Sequence, residues 1–346
     1  MTVWSKVARS QFQCLCVGLC SVLLWTVAPT LARQSPRDLM RRFSVEQWER
    51  FRPLFTLVEE ASTGHPVPSD VPVTWQSHVL KAEANVNFVL FTLKVPPGGF
   101  TSFPLAMYLR VVKRGAPATP PGPHDALAQY PFEDVAVFDE PINGRISRAF
   151  AAPVGQWDVY VALREAVRSE LQVPKTVVFK REVDLPDLST DLAVSSIIVA
   201  DKIEADTENK RLDFEDQLDD PYRLWGMRIT PVLETRFGHS KTLSVTFLVY
   251  NTGAAENDKP DVEIDYTFFR KSGNTETLFG KTSPQLFNPR TLAPDFSLSA
   301  GNLLIGGHAV PLRQFPDGDF RLEITVTDNS SGKSLTRDVS FTVTGR

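Results

Sequence analysis

The chain has 346 residues, of which 42% are hydrophobic and 23% charged, and its formal charge is −4. At about 150 residues per domain these values describe two folded domains, and they exclude disorder, collagen and a many-span membrane protein. With 37 basic against 41 acidic residues the cationic surplus of a general nucleic-acid binder is missing, so no nucleic-acid partner is expected.

Lys6 and Arg9 precede an apolar run from Cys14 to Ala28, and Pro29-Thr30-Leu31-Ala32 supplies small residues before a cut after Ala32. This order of charged, apolar and small segments predicts a signal peptide over residues 1–32. About 15 apolar residues fall short of the roughly 18–20 that span a bilayer, so no transmembrane anchor is expected after processing. All three cysteines, Cys14, Cys16 and Cys20, lie inside the segment, and Leu19 is too bulky for a lipoprotein signal at Cys20. The mature chain is therefore expected to be periplasmic or extracellular and thiol-free, held by its core alone. Loss of Lys6 and Arg9 takes the formal charge from −4 to −6.

Residues 33–64 read as a helical N-terminal segment. Ser35-Pro36-Arg37-Asp38 and Ser44-Val45-Glu46-Gln47 offer caps, and Trp48, Phe51, Phe55 and Val58 recur at helical steps, with Pro53 expected to kink or split the helix. Such an apolar stripe either docks on the domain behind it or meets a partner or membrane surface. Arg41, Arg42, Arg50 and Arg52 keep the second choice open. Trp48, Phe51 and Phe55 are accordingly partner-contact candidates.

Beyond His65 the period changes to two. Phe320 to Thr327 alternates apolar with polar throughout, as does Val262 to Phe268, and Leu243, Val245, Phe247 and Val249 alternate with Ser244 and Thr246. Half-buried antiparallel strands follow. Pro153-Val154-Gly155-Gln156-Trp157 lines up with Pro316-Asp317-Gly318-Asp319-Phe320. Tyr108 to Gly115 lines up with Tyr266 to Gly273, and Arg181 to Leu185 with Arg337 to Phe341. Three matches in one order, about 160 residues apart, predict one all-β unit written twice. The expected boundaries are 65–200 for the first β-sandwich, 201–223 for an acidic linker and 224–346 for the second. Pro117 to Pro131 is expected to be a long exposed loop of the first copy.

The Pro-x-Gly-x-aromatic strand of each copy, and above all Phe315 to Asp328, resembles the tandem immunoglobulin-like β-sandwich domains of functionally uncharacterised exported bacterial proteins. The resemblance would cover about Pro66 to Arg346, and it implies two tandem immunoglobulin-like antiparallel β-sandwiches. It carries no cysteine pair and implies architecture rather than activity.

Catalytic equipment is sparse. Gly280-Lys281-Thr282 and Gly332-Lys333-Ser334 lack the earlier glycine of a phosphate loop, and Ser330-Ser331-Gly332-Lys333 sits in an expected turn rather than on a helix. His65, His78, His124, His239 and His308 never fall at metal-ligand spacing, and no cofactor is expected. The linker acids Asp213, Glu215, Asp216, Asp219 and Asp220 could offer calcium ligands, but like charges usually mark a solvated surface. Trp75, Trp157 and Trp225 could stack on sugars only if exposed. Leu286 to Phe296 is an irregular apolar segment that either closes one end of the second sandwich or forms a groove, which adds Phe287, Leu292 and Phe296 to the contact candidates. The reading is a non-enzymatic, exported structural or binding protein that meets an envelope protein or glycan through its loops. The alternative is a carbohydrate-active or other hydrolase whose carboxylates meet only in the fold.

Overall fold

The computed structural model describes residues 45–115, 132–141, 143–167, 169, 171–208, 212 and 214–345, with backbone alone at 45–48, 214 and 215. The expected signal peptide, residues 33–44 and the Pro117 to Pro131 loop lie outside them. The fold is mainly β, and it divides into two compact units. Among the described residues the first holds 45–187 and 214–221, and the second holds 188–212 and 222–345.

The first unit starts with helix α1 (Val45–Ser62), which continues through Pro53, so the proline does not split it. Seven strands follow: β1 (Thr74–Glu83), β2 (Val86–Lys94), β3 (Leu105–Lys113), β4 (Phe132–Phe138), β5 (Arg145–Pro153), β6 (Gly155–Glu165) and β7 (Thr176–Leu185). They form two antiparallel sheets ordered β1-β2-β5 and β4-β3-β6-β7. Phe51, Leu54 and Val58 of α1 pack on Ala106, Tyr108, Val135, Tyr160, Ala162 and Val178, so the helix covers one face of the four-stranded sheet. That sheet is buried on both faces, and the middle of β3 shows no alternation of burial. The unit is completed by the short helix α2 (Phe214–Asp219), whose Asp219 pairs with buried Arg148; Arg148 also pairs with buried Asp134. Some of the acids read as linker thus belong to a packed element.

The second unit contains β8 (Ala193–Val194), β9 (Ile198–Ala205), β10 (Arg223–Leu224), β11 (Met227–Pro231), β12 (Arg236–Gly238), β13 (Thr242–Tyr250), β14 (Val262–Ser272), β15 (Thr275–Lys281), β16 (Gln285–Phe287), β17 (Leu304–Pro311), β18 (Gly318–Asp328) and β19 (Lys333–Thr344). One sheet runs β10-β11-β9-β13-β17 and the other β12-β19-β18-β14-β15, with β8 on β13 and β16 on β14. The β12–β19 pair is parallel, a departure from the all-antiparallel expectation. Val245, Phe247 and Val310 of the first sheet join Ile264, Tyr266, Phe320, Ile324 and Phe341 of the second in one apolar cluster. Residues 201–205, read as the start of a linker, are the end of β9; 202–205 pair with β11, and Asp201 and Glu204 are exposed.

In chain order the seven strands of the first unit are arranged 1-2-5 and 4-3-6-7, and β9, β13, β14, β15, β17, β18 and β19 of the second follow the same two orders. Gly155 and Gly318 open β6 and β18 with φ of 137° and 143°, a region that L side chains avoid, which explains the glycine of the Pro-x-Gly-x-aromatic motif. Register corrects one detail of the alignment. Tyr108 faces α1, whereas Tyr266 faces the core between sheets. The position corresponding to Tyr266 is Leu109, because Leu109 lies opposite Val161 as Tyr266 lies opposite Ile324.

Candidate functional site at the loop ends

Strand pairing brings three connections to one end of the first unit: 95–104, 139–144 and 166–175. Glu165, 4% exposed, is the last residue of β6. Its carboxylate accepts the amides of Thr101, Ser102 at 3.1 Å and Lys175 at 3.0 Å, and the Thr101 hydroxyl at 3.1 Å. The Lys175 amino group donates to the carbonyls of Gly98 (3.2 Å) and Gly99 (2.7 Å), and the Ser102 hydroxyl donates to Ala166 O at 2.9 Å. Burial works to raise the pKa of Glu165, but the donors from Thr101, Lys175 and Ser102 outweigh it and hold the carboxyl below its ordinary value. An ionised side chain thus ties the 95–104 and 166–175 loops together.

Beyond this tie the 166–175 loop exposes Val167 (50%), Leu171 (96%) and Val173 (89%). One exposed aliphatic residue needs no explanation, but three within seven positions make an apolar tip. The sequence reading passed over these residues. The available signal was length: the connection from β6 to β7 is ten residues, whereas that from β18 to β19 is four.

The sequence-based candidates fall elsewhere. Phe51 is fully buried and Phe55 meets the Tyr108 ring edge-on at 4.5 Å, so the apolar face of α1 is consumed within its own unit and Phe51 presents no contact surface. The Trp48 side chain lies outside the described residues. Beneath α1 the Tyr108 hydroxyl donates to Glu133 at 2.6 Å, and Arg110 binds Glu133 at 2.9 Å and Glu59 at 2.7 Å. Burial, then the Glu133 charge, push the Tyr108 pKa well up, so this phenol stays protonated. Phe287, Leu292 and Phe296 are half-buried and pack on the second unit's core. Their segment is held by Asp258, which accepts the Ser297 hydroxyl at 2.5 Å and the Ser299 amide at 2.9 Å, and by Lys259, which donates to Ala293 O at 2.8 Å.

Trp157 is buried, with its indole N–H on Pro153 O at 2.7 Å, and Trp75 stacks on Phe91 with centroids 4.2 Å apart; neither ring is a free sugar platform. Trp225 is half-buried. Carboxylates with displaced pKa move down: Glu165, Asp191 beside Lys333, Asp206 (where the Arg223 hydrogen bond outweighs burial), Asp258 with its serines, and Glu276 beside Arg321. These five are fixed anions rather than proton donors. Among the described residues no cluster of three or more metal-ligating side chains occurs, and no helix is long and apolar enough to cross a membrane.

In the second unit His308 stacks on Tyr266 with centroids 4.7 Å apart, and its Nε2 is buried without a hydrogen-bond partner. Burial pushes its pKa down to about 4. The same cause takes buried His78 of the first unit to about 4.

Comparison with protein-family models and with curated proteins finds no match to the chain.

Proposed function

We propose that the chain is an exported, non-catalytic binding protein of the cell envelope, built from two immunoglobulin-like β-sandwiches, that recognises a protein partner through loops at one end of the first sandwich. The observation that carries this reading is the apolar tip of Leu171, Val173 and Val167 on a loop fixed at its base. A fixed loop loses little entropy on binding, and burial of its exposed aliphatic side chains in a partner's cleft is favourable. The sandwich assignment draws support from two sheets sharing one core in the second unit, and from the strand order that both units follow.

A protein partner fits better than a lipid or a glycan. The three aliphatic side chains carry about ten carbons, fewer than the roughly fourteen of a myristoyl chain, which alone holds a membrane only marginally. A glycan site would want exposed aromatic faces, whereas Trp157 is buried, Trp75 has one face stacked on Phe91, and Trp75 and Trp225 are both half-buried. The test is retention of the full chain by immobilised envelope protein extract. Replacing Leu171 and Val173 with Asp is expected to weaken retention by at least about 100-fold, from roughly 1.5–3 kcal/mol for each of the two buried aliphatic side chains. Unchanged retention, or equal retention by protein-free vesicles, would remove the reading.

A further inference from the structure

We infer that Glu165 and Asp328 are one device present in both units, a carboxylate clasp that sets the geometry of each loop end. The argument rests on register. Glu165 is the last residue of β6 and lies opposite Leu105, the first residue of β3. Asp328 is the last residue of β18 and lies opposite Val262, the first residue of β14. The β3–β6 and β14–β18 pairs are the third and sixth strands of the common order, so the two acids share one position. On the seventh strands Gly155 faces Leu185 and Gly318 faces Val343, and Asp328 lies opposite Lys333. Continuing the β6–β7 register brings Lys175 opposite Glu165, where the Glu165 amide bonds Lys175 O at 3.1 Å. An acid and a lysine therefore face each other across the hairpin in each unit.

The two acids also do the same work. Asp328, 0% exposed, accepts the Gly253 amide at 2.7 Å, the Ser330 amide at 3.0 Å and the Ser331 hydroxyl at 2.6 Å. Gly253 belongs to the connection before β14, as Thr101 and Ser102 belong to the one before β3. Ser330 and Ser331 belong to the hairpin after β18, as Lys175 belongs to the one after β6. Each acid thus bonds the loop between second and third strands to the loop between sixth and seventh. At Gly253 the approach is so close that an added Cβ would stand 2.9 Å from Ser330 Cβ. Buried amides outside the strand ladders need an acceptor, and an ionised carboxylate binds several at once. Sequence alignment hid the correspondence because one acid is Glu and the other Asp, and the hairpins differ in length. In the first unit the device carries the apolar tip, which makes Glu165 a positioning residue; in the second it carries the polar turn Asn329-Ser330-Ser331-Gly332. The clasp stands on geometry alone, whereas its part in presenting the tip rests on the function proposed above.

Amide hydrogen exchange on the full chain tests the clasp. In the wild-type protein the amides of Thr101, Ser102, Lys175, Gly253 and Ser330 are expected to exchange slowly although none lies in a strand ladder except at its margin. Glu165→Gln is expected to speed exchange at Thr101, Ser102 and Lys175 by about 10- to 100-fold, the cost of losing hydrogen bonds to a charged group, and to leave Gly253 and Ser330 unchanged. Asp328→Asn should do the converse. Fast exchange of these amides in the wild type overturns the clasp without any variant having to fold, as does an unchanged rate in a folded Glu165→Gln protein. Envelope retention measured on the same variant separates the two ideas. Loosened loops with unaltered retention keep the clasp and remove the part of Glu165 in presenting the tip, while the tip itself stands or falls with the Leu171 and Val173 substitutions.

Discussion

His308 gives a sharp prediction about acid. Its half-buried ring stacks on the core residue Tyr266 of the second unit, and its ordinary pKa of 6.5 falls to about 4 through burial. Folding therefore depresses the pKa, so the unfolded chain binds the extra proton first as pH falls. The neutral ring's contribution is fully present above pH 6.5, declines between 6.5 and 4, and is gone below the folded value. For values of 6.5 and about 4, linkage gives a loss of about 2 kcal/mol between pH 7 and pH 5, approaching about 3 kcal/mol near pH 4. Between pH 7 and pH 5 the range lies above the ordinary carboxylate values, so the lowered acids such as Glu165 contribute little there; nearer pH 4 their own loss adds to it. NMR titration of the imidazole Hε1 signals is the direct assay, with urea unfolding at pH 7 and pH 5 beside it. His308 should stay neutral at pH 5, and His308→Gln should remove about 2 kcal/mol of the pH 7 to pH 5 difference. A His308 midpoint near 6.5, or the same pH dependence in the variant, would refute the burial argument.

Other substitutions probe the packing directly. In Gly306→Ala the new Cβ would stand 2.5 Å from the Phe247 ring and 3.1 Å from Ile264, so overpacking should cost about 1–3 kcal/mol, read as a lowered Tm. Tyr108→Phe removes one donor to Glu133 while Arg110 keeps its bond, which should cost about 1–3 kcal/mol in chemical unfolding. Glu133→Leu should cost more, roughly 3 kcal/mol, because half-buried Arg110 loses its buried carboxylate partner and keeps Glu59, while the Tyr108 hydroxyl loses its acceptor. N-terminal sequencing of the product made by an exporting cell should begin at Arg33; an intact Met1 on the exported product would contradict the signal-peptide reading.

The second unit was easier to read than the first for a physical reason. The outer face of the β14, β18 and β19 sheet meets water, so Val262 to Phe268 and Phe320 to Thr327 alternate and their strands stood out. In the first unit α1 covers the equivalent face, β3 is apolar on both sides, and the match of Tyr108 to Tyr266 slipped by one residue. Strand β9 escaped notice because its second half carries Asp201, Lys202 and Glu204 on an exposed stretch that imitates a linker. The tip residues Leu171 and Val173 carry no period at all, since loops impose none. Glu165 was illegible for another reason: its role depends on Thr101 and Ser102, more than sixty residues away, and only strand pairing brings them together.

Placing a photo-activatable side chain at position 171 of the full chain, in the cell that exports it, tests the partner contact most directly. Position 278, where an equally apolar Leu278 is 67% exposed on the second unit, serves as the control. One discrete protein adduct is expected from 171, weakened by Glu165→Gln and absent from 278. Lipid adducts at 171, or the same adducts from both positions, would contradict recognition through this tip.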